Sequence, residues 1–110
     1  MSLPVIQELL REVQIFQLRQ RRSVDRKPFV RPVMIVTNRD EYFEAFSRDI
    51  SQQGIGLITR SNWAPGTLAT LRINAFDGSD FDVVAEARWC DGYGSNYYLS
   101  GWVFLRQGRA

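Results

Sequence analysis

The chain predicts an all-β fold: a six-stranded antiparallel, Greek-key-like β-barrel preceded by one amphipathic α-helix. Three observations predict it. Beyond residue 32, short runs rich in β-branched and aromatic residues recur at regular spacing. Between them stand Asn38-Arg39-Asp40, Ala64-Pro65-Gly66, Asp77-Gly78-Ser79-Asp80 and Asp91-Gly92-Tyr93-Gly94, all of them turn chemistry. The one stretch of helical periodicity comes first and is not interleaved with strands, which disfavours a βαβ architecture.

The elements follow in order. Residues 3–21 form the predicted helix: Ser2 can cap it, Pro4 is tolerated in its first turn, and Ile6, Leu9, Val13 and Phe16 recur at three- and four-residue spacing with Leu10 beside them. That apolar face needs cover. The body of the same chain is the preferred cover, and a second copy, making a homodimer, is the alternative. Pro28 and Pro32 end the helical stretch and hold their predecessors extended. Val33 to Thr37 is apolar and β-branched. In Tyr42 to Ile50, strict alternation puts Tyr42, Phe46 and Ile50 on one face and Phe43 and Ala45 on the other, a weak division because both sets are apolar. Gly54 to Thr59 is short and apolar. Thr67 to Phe76 alternates Leu68, Thr70, Arg72 and Asn74 against Ala69, Leu71, Ile73 and Ala75, the pattern of a half-buried strand. Phe81 to Cys90 and Tyr97 to Leu105 complete six strands. Residues 1–21 are thus expected as a helix and 22–110 as one barrel domain.

Composition narrows the function classes. A chain of 110 residues with a hydrophobic fraction of 45% can bury a single core. Its net charge of only +2 argues against a general nucleic-acid coat, which needs a broad basic face. There is no His, the commonest general base and metal ligand, and the single Cys90 forms no intrachain disulfide or cysteine metal cluster. No nucleophile–base constellation stands out, so an enzyme is not expected, nor is a metal or cofactor. No run approaches the roughly 18 apolar residues of a membrane span. The expectation is a soluble, cytoplasmic protein that binds neither nucleic acid nor the membrane interior.

The basic residues are unusual in kind, 13 Arg against one Lys, and in placement: Arg19 to Arg31 holds five Arg and Lys27 against the single acid Asp25. Arginine is favoured where planar anions are held bidentately or purine rings are stacked. Within this run Arg22-Ser-Val-Asp-Arg26 can bracket an object from two ends of a short arc. Read plainly, it is a solvated helix end whose arginines offset the helix dipole. About two dozen residues later comes Asp49-Ile-Ser51-Gln-Gln-Gly54. There a carboxylate and a hydroxyl share one face, and Gly54 allows a positive-φ turn or close approach by a ligand. Read plainly, it is a turn between two strands. Asp77-Gly-Ser-Asp-Phe-Asp82 lacks the spacing and distal Glu of a calcium loop. Gly54-Ile-Gly56 is only a fragment of a dinucleotide fingerprint, with a strand where a helix is needed.

Taken together and in this order, the motifs are more specific. Arg22-x-x-x-Arg26, Pro28-Phe29-x-x-Pro32-Val33, Asp49-x-Ser51-x-x-Gly54, Ala64-Pro65-Gly66-Thr67, Ala85-Glu-Ala-Arg-Trp89 and Gly101-Trp-Val-Phe104 resemble the PilZ domain family from Arg21 to about Phe104. The resemblance does not extend to the N-terminal helix. It implies a six-stranded barrel that binds the bacterial second messenger cyclic di-GMP. By that likeness Arg22 and Arg26 clamp phosphates and guanines, Asp49 and Ser51 read a guanine edge or the backbone, and Gly54 leaves room for the ligand. Arg21, just before the first motif arginine, implies an intercalated ligand dimer. Trp89 is a candidate stacking surface, with packing in the core as its alternative. Like charges crowd the arginine arm, so the ligand is expected to order it and thereby shift the helix and a protein partner's contact. The competing expectation is an interaction module with the same barrel and no ligand.

Overall fold

The structure, a computed structural model, describes residues 27–75 and 77–108. The expected helix and Arg21, Arg22 and Arg26 lie outside the described residues. Within them the chain forms seven strands and no helix: β1 (Lys27–Pro28), β2 (Pro32–Thr37), β3 (Tyr42–Ile50), β4 (Gly54–Thr59), β5 (Leu68–Asn74), β6 (Asp80–Gly92) and β7 (Tyr98–Gln107).

Every pairing is antiparallel, and six strands close a ring in the order β2-β3-β4-β7-β6-β5, with β5 returning to β2. The two-residue β1 pairs the far end of β3, placing Lys27 opposite Ile50 and Pro28 opposite Asp49. It therefore continues the line of β2 along β3. Phe29 N–H donates to the Arg48 carbonyl at 2.9 Å and Ser47 N–H to the Arg31 carbonyl at 2.9 Å, which carries the pairing across the break. Inside the break the buried Ser47 hydroxyl donates to the Phe29 carbonyl and accepts the Arg31 N–H at 2.9 Å.

Alternation fills the barrel. Ala69, Leu71, Ile73 and Ala75 point inward as the sequence pattern requires, meeting Ile35, Ile55, Leu57, Val83, Ala85, Ala87 and Trp102. β4 and β5 are not neighbours, so residues 60–67 must cross the barrel, and Trp63 on that crossing is buried. Its ring meets Phe43 and Trp102 edge-on, with centroids 5.1 and 5.4 Å away. Pro65-Gly66 turns the crossing into β5 as a type II turn: Gly66 has φ 93° and Thr67 N–H returns to the Ala64 carbonyl at 3.1 Å.

The expected grouping of Tyr42, Phe46 and Ile50 on one face is corrected. Tyr42 and Phe46 are exposed, whereas Ile50 is fully buried. A register shift between Ser47 and Asp49 inserts an extra residue and reverses the alternation. Phe43, Ala45 and Ser47 therefore face the core before the bulge and Ile50 after it. A second shift, between Ala87 and Trp89, does the same in β6, turning Ala87 and Cys90 inward and Trp89 outward.

β3 also outruns β4. Pairing with β4 begins only at Phe46 opposite Ile58. The Thr37 N–H to Glu41 carbonyl bond, with that of Ser47 to Arg31, sets the backbone of odd positions toward β2. Tyr42 and Glu44 thus turn their N–H and C=O groups outward, where no described strand meets them. The adjoining groove, about 650 Å³, is lined by Tyr42, Phe46, Ile58, Arg60 and Tyr97 among others.

Candidate functional site

Asp49-Ile-Ser51-Gln-Gln-Gly54 folds as the β3–β4 hairpin. Ser51 N–H donates to the Gly54 carbonyl at 2.9 Å, and the buried Ser51 hydroxyl accepts the N–H groups of Gly54 and Gln53 at 3.2 and 3.3 Å. The hydroxyl satisfies a turn whose amides would otherwise be orphaned. Phe104 N–H reaches the Gln53 carbonyl at 2.7 Å and ties the hairpin tip to β7.

Gly54 does not adopt a positive φ. Its neighbour is the chain itself: a Cβ there would overlap the Trp102 carbonyl oxygen, with the carbonyl carbon at 3.1 Å and the Val103 Cα at 3.4 Å. Close approach does require a glycine here, and the approaching backbone is β7.

Asp49 is the residue of the motif whose side chain lies on the outer face. It pairs with Pro28 on one side and Gly56 on the other. Its carboxylate, with side-chain exposure of 16%, is 3.3 Å from the Arg48 guanidinium. It also lies over Gly56, where a Cβ would sit 2.6 Å from Oδ1. β1, whose Lys27 is paired with Ile50 and Pro28 with Asp49, begins one residue after Arg26 in the sequence.

Trp89 lies outside the core; Trp63 and Trp102 are the buried indoles. The residue is 40% exposed, and its ring lies across Gly101, where a Cβ would overlap Nε1 and stand 2.9 Å from Cδ1. The bulge between Ala87 and Trp89 turns Trp89 out of the interior, so it is not part of the barrel core.

These residues share one line. Asp49 faces Gly56, Gly56 faces Gly101 and Gly101 faces Trp89 across β3, β4, β7 and β6. Three strand spacings of about 4.8 Å separate the ends, roughly 14 Å along the sheet. The line therefore offers an acceptor-only carboxylate and a flat aromatic face on a floor without side chains. Such a surface can receive a planar heterocycle with hydrogen-bond donors on its edge. Sequence reasoning missed Gly56 and Gly101 as parts of this surface. Their signal, glycines in strand interiors, was present, since such glycines mark a close approach.

Among the described residues, no group of His, Cys, Asp and Glu could hold a metal ion, and no helix is long and apolar enough to cross a membrane. A comparison with curated proteins finds no match. A comparison with family models matches residues 20–108 to the model described as PilZ domain, a span that includes both the arginine motif and the Asp49–Gly54 hairpin.

Proposed function

We propose, for a chain that belongs to the PilZ domain family, a non-enzymatic receptor that binds cyclic di-GMP between its arginine arm and the outer face of the β3–β4 hairpin. One observation carries the reading. The Asp49 carboxylate lies on the outer face beside β1, which begins one residue after Arg26. A dianionic ligand with two purine faces can then span both groups. Arg22 and Arg26 hold phosphates and stack on bases, with Arg21 alongside. Asp49 accepts from a guanine edge, whose N1 and N2 are donors. Trp89 offers a stacking face. Ser51 and Gly54 keep the hairpin shaped to present Asp49.

On this reading the ligand orders residues 22–26 against the barrel and moves the preceding segment, residues 3–21, which alters contact with a protein partner. The order–disorder step supplies the switch, because the ligand prefers the closed form.

Calorimetric titration with cyclic di-GMP tests the receptor. The wild type is expected to bind, and Arg22→Ala and Arg26→Ala each to lose about 1.5–3 kcal/mol or more with an unchanged melting temperature. Either variant binding as tightly as wild type would overturn the assignment. Hydrogen exchange over residues 3–30 tests the switch; equal protection with and without ligand would count against it. The alternative, an interaction module without ligand, draws support from exposed Tyr42 and Phe46 beside the groove. It predicts a chromatographic shift with partner in the absence of nucleotide.

A further inference from the structure

Three glycines of β4 and β7 lie along one side of the barrel, and the atoms that crowd them differ in kind. At Gly54 the crowding atoms are backbone of β7, so the fold itself demands the glycine. At Gly56 all three nearest atoms belong to the Asp49 carboxylate, and at Gly101 all three belong to the Trp89 indole. Both groups are side chains, so the crowding at these two glycines is not set by the approach of one strand's backbone to another. Trp89 is 40% exposed, and the Asp49 side chain, 16% exposed on the outer face, is held by the Arg48 guanidinium at 3.3 Å. Closure of the backbone therefore gives no reason to exclude a side chain at these two positions. Side-chain placement does.

We propose that Gly56 and Gly101 are positioning residues of the ligand site, Gly56 seating the Asp49 carboxylate and Gly101 seating the Trp89 indole. This rests on the receptor reading above. Because Gly56 and Gly101 are direct partners across β4 and β7, the two seats are about 5 Å apart. An acceptor and a flat aromatic face are thereby held one strand spacing from each other. A guanine stacked on the indole then turns its donor edge to the carboxylate. An adenine in the same pose presents a ring acceptor to that carboxylate and is rejected. A methyl group at either glycine lifts one member of the pair out of register with the other.

Two double-mutant cycles test the proposal, read by calorimetric titration with cyclic di-GMP and by thermal melting. One combines Gly101→Ala with Trp89→Ala, the other Gly56→Ala with Asp49→Ala. Each glycine substitution alone is expected to weaken binding about tenfold or more, the scale of a lost stacking or charged contact, while the melting temperature stays near that of wild type. Added to the variant that already lacks its partner side chain, each is expected to weaken binding by no more than about twofold. Wild-type affinity in Gly56→Ala and Gly101→Ala would overturn the proposal and leave the receptor standing. So would an equal loss with and without the partner side chain, or melting as low as that of Gly54→Ala, because each makes the glycines a requirement of the fold. A wild-type protein that does not bind would overturn the receptor reading and this one together.

Discussion

Replacing Gly54 with alanine separates two roles that this motif glycine could have, clearance for a ligand or clearance for the chain. The added Cβ would overlap the Trp102 carbonyl oxygen and stand 3.1 Å from its carbon. Both are backbone atoms, so no rotamer change relieves them. Gly54 pairs with Val103 and Ile55 with Trp102. Separating β4 from β7 to make room would stretch hydrogen bonds between residues whose side chains, Ile55 and Trp102, are fully buried. Overpacking of this sort costs about 1–3 kcal/mol. The stiffer unfolded chain offsets about 0.4–1 kcal/mol of that. Taking the middle of each range, about 2 and about 0.7 kcal/mol, a net loss of about 1.3 kcal/mol remains, and at roughly 4–8 °C per kcal/mol the melting temperature should fall by about 5–10 °C. Differential scanning calorimetry on the ligand-free protein measures it. Melting within about 1 °C of wild type, with cyclic di-GMP binding lost, would refute the reasoning and return Gly54 to the ligand.

Two further predictions follow from other contacts. Ser47→Ala removes a buried hydroxyl that bridges the Phe29 carbonyl and the Arg31 N–H, so the urea midpoint should fall by an amount equivalent to about 1–3 kcal/mol; an unchanged midpoint would mean the break between β1 and β2 does not depend on it. The Asp77 carboxyl is held below its ordinary range by the Ser79 hydroxyl at 2.6 Å and then by the Ser79 N–H at 2.9 Å. A depressed folded value means its contribution to stability is present above the unfolded value near pH 4 and fades as pH falls through the folded one. Ser79→Ala should move the Asp77 midpoint, followed by carbon NMR, up toward the ordinary range, and a stationary midpoint would contradict the cause given.

The limits of the sequence reading have physical reasons. β5 was legible because Ala69, Leu71, Ile73 and Ala75 alternate without interruption, so period two alone gives the buried face. β3 was legible in extent but not in facing. The extra residue between Ser47 and Asp49 reverses its alternation, and nothing in Phe-Ser-Arg-Asp-Ile announces a bulge. β6 runs Asp80–Gly92, longer at both ends than its apolar pattern, because its flanks are held by pairing to β5 and β7 rather than by burial. The motif around Asp49 was legible as a unit, and its division of labour was not. Ser51 bonds its own turn locally, but that Gly54 meets β7 depends on contact with a strand about 50 residues away. Trp89 could be read either as core or as surface, since only the bulge at Ala87–Trp89 decides between them.

The stretch where β3 outruns β4 has a consequence for solubility. Donors and acceptors left open along a strand invite another chain to continue the sheet, and repetition of that step is how fibres grow. Here the invitation is brief, covering Tyr42 to Ala45, and Glu44 places a charge in its middle. Stacking one molecule's Glu44 against the next would bring like charges together at each added layer. Among the described residues, this seam is kept from templating assembly by its length and its charge.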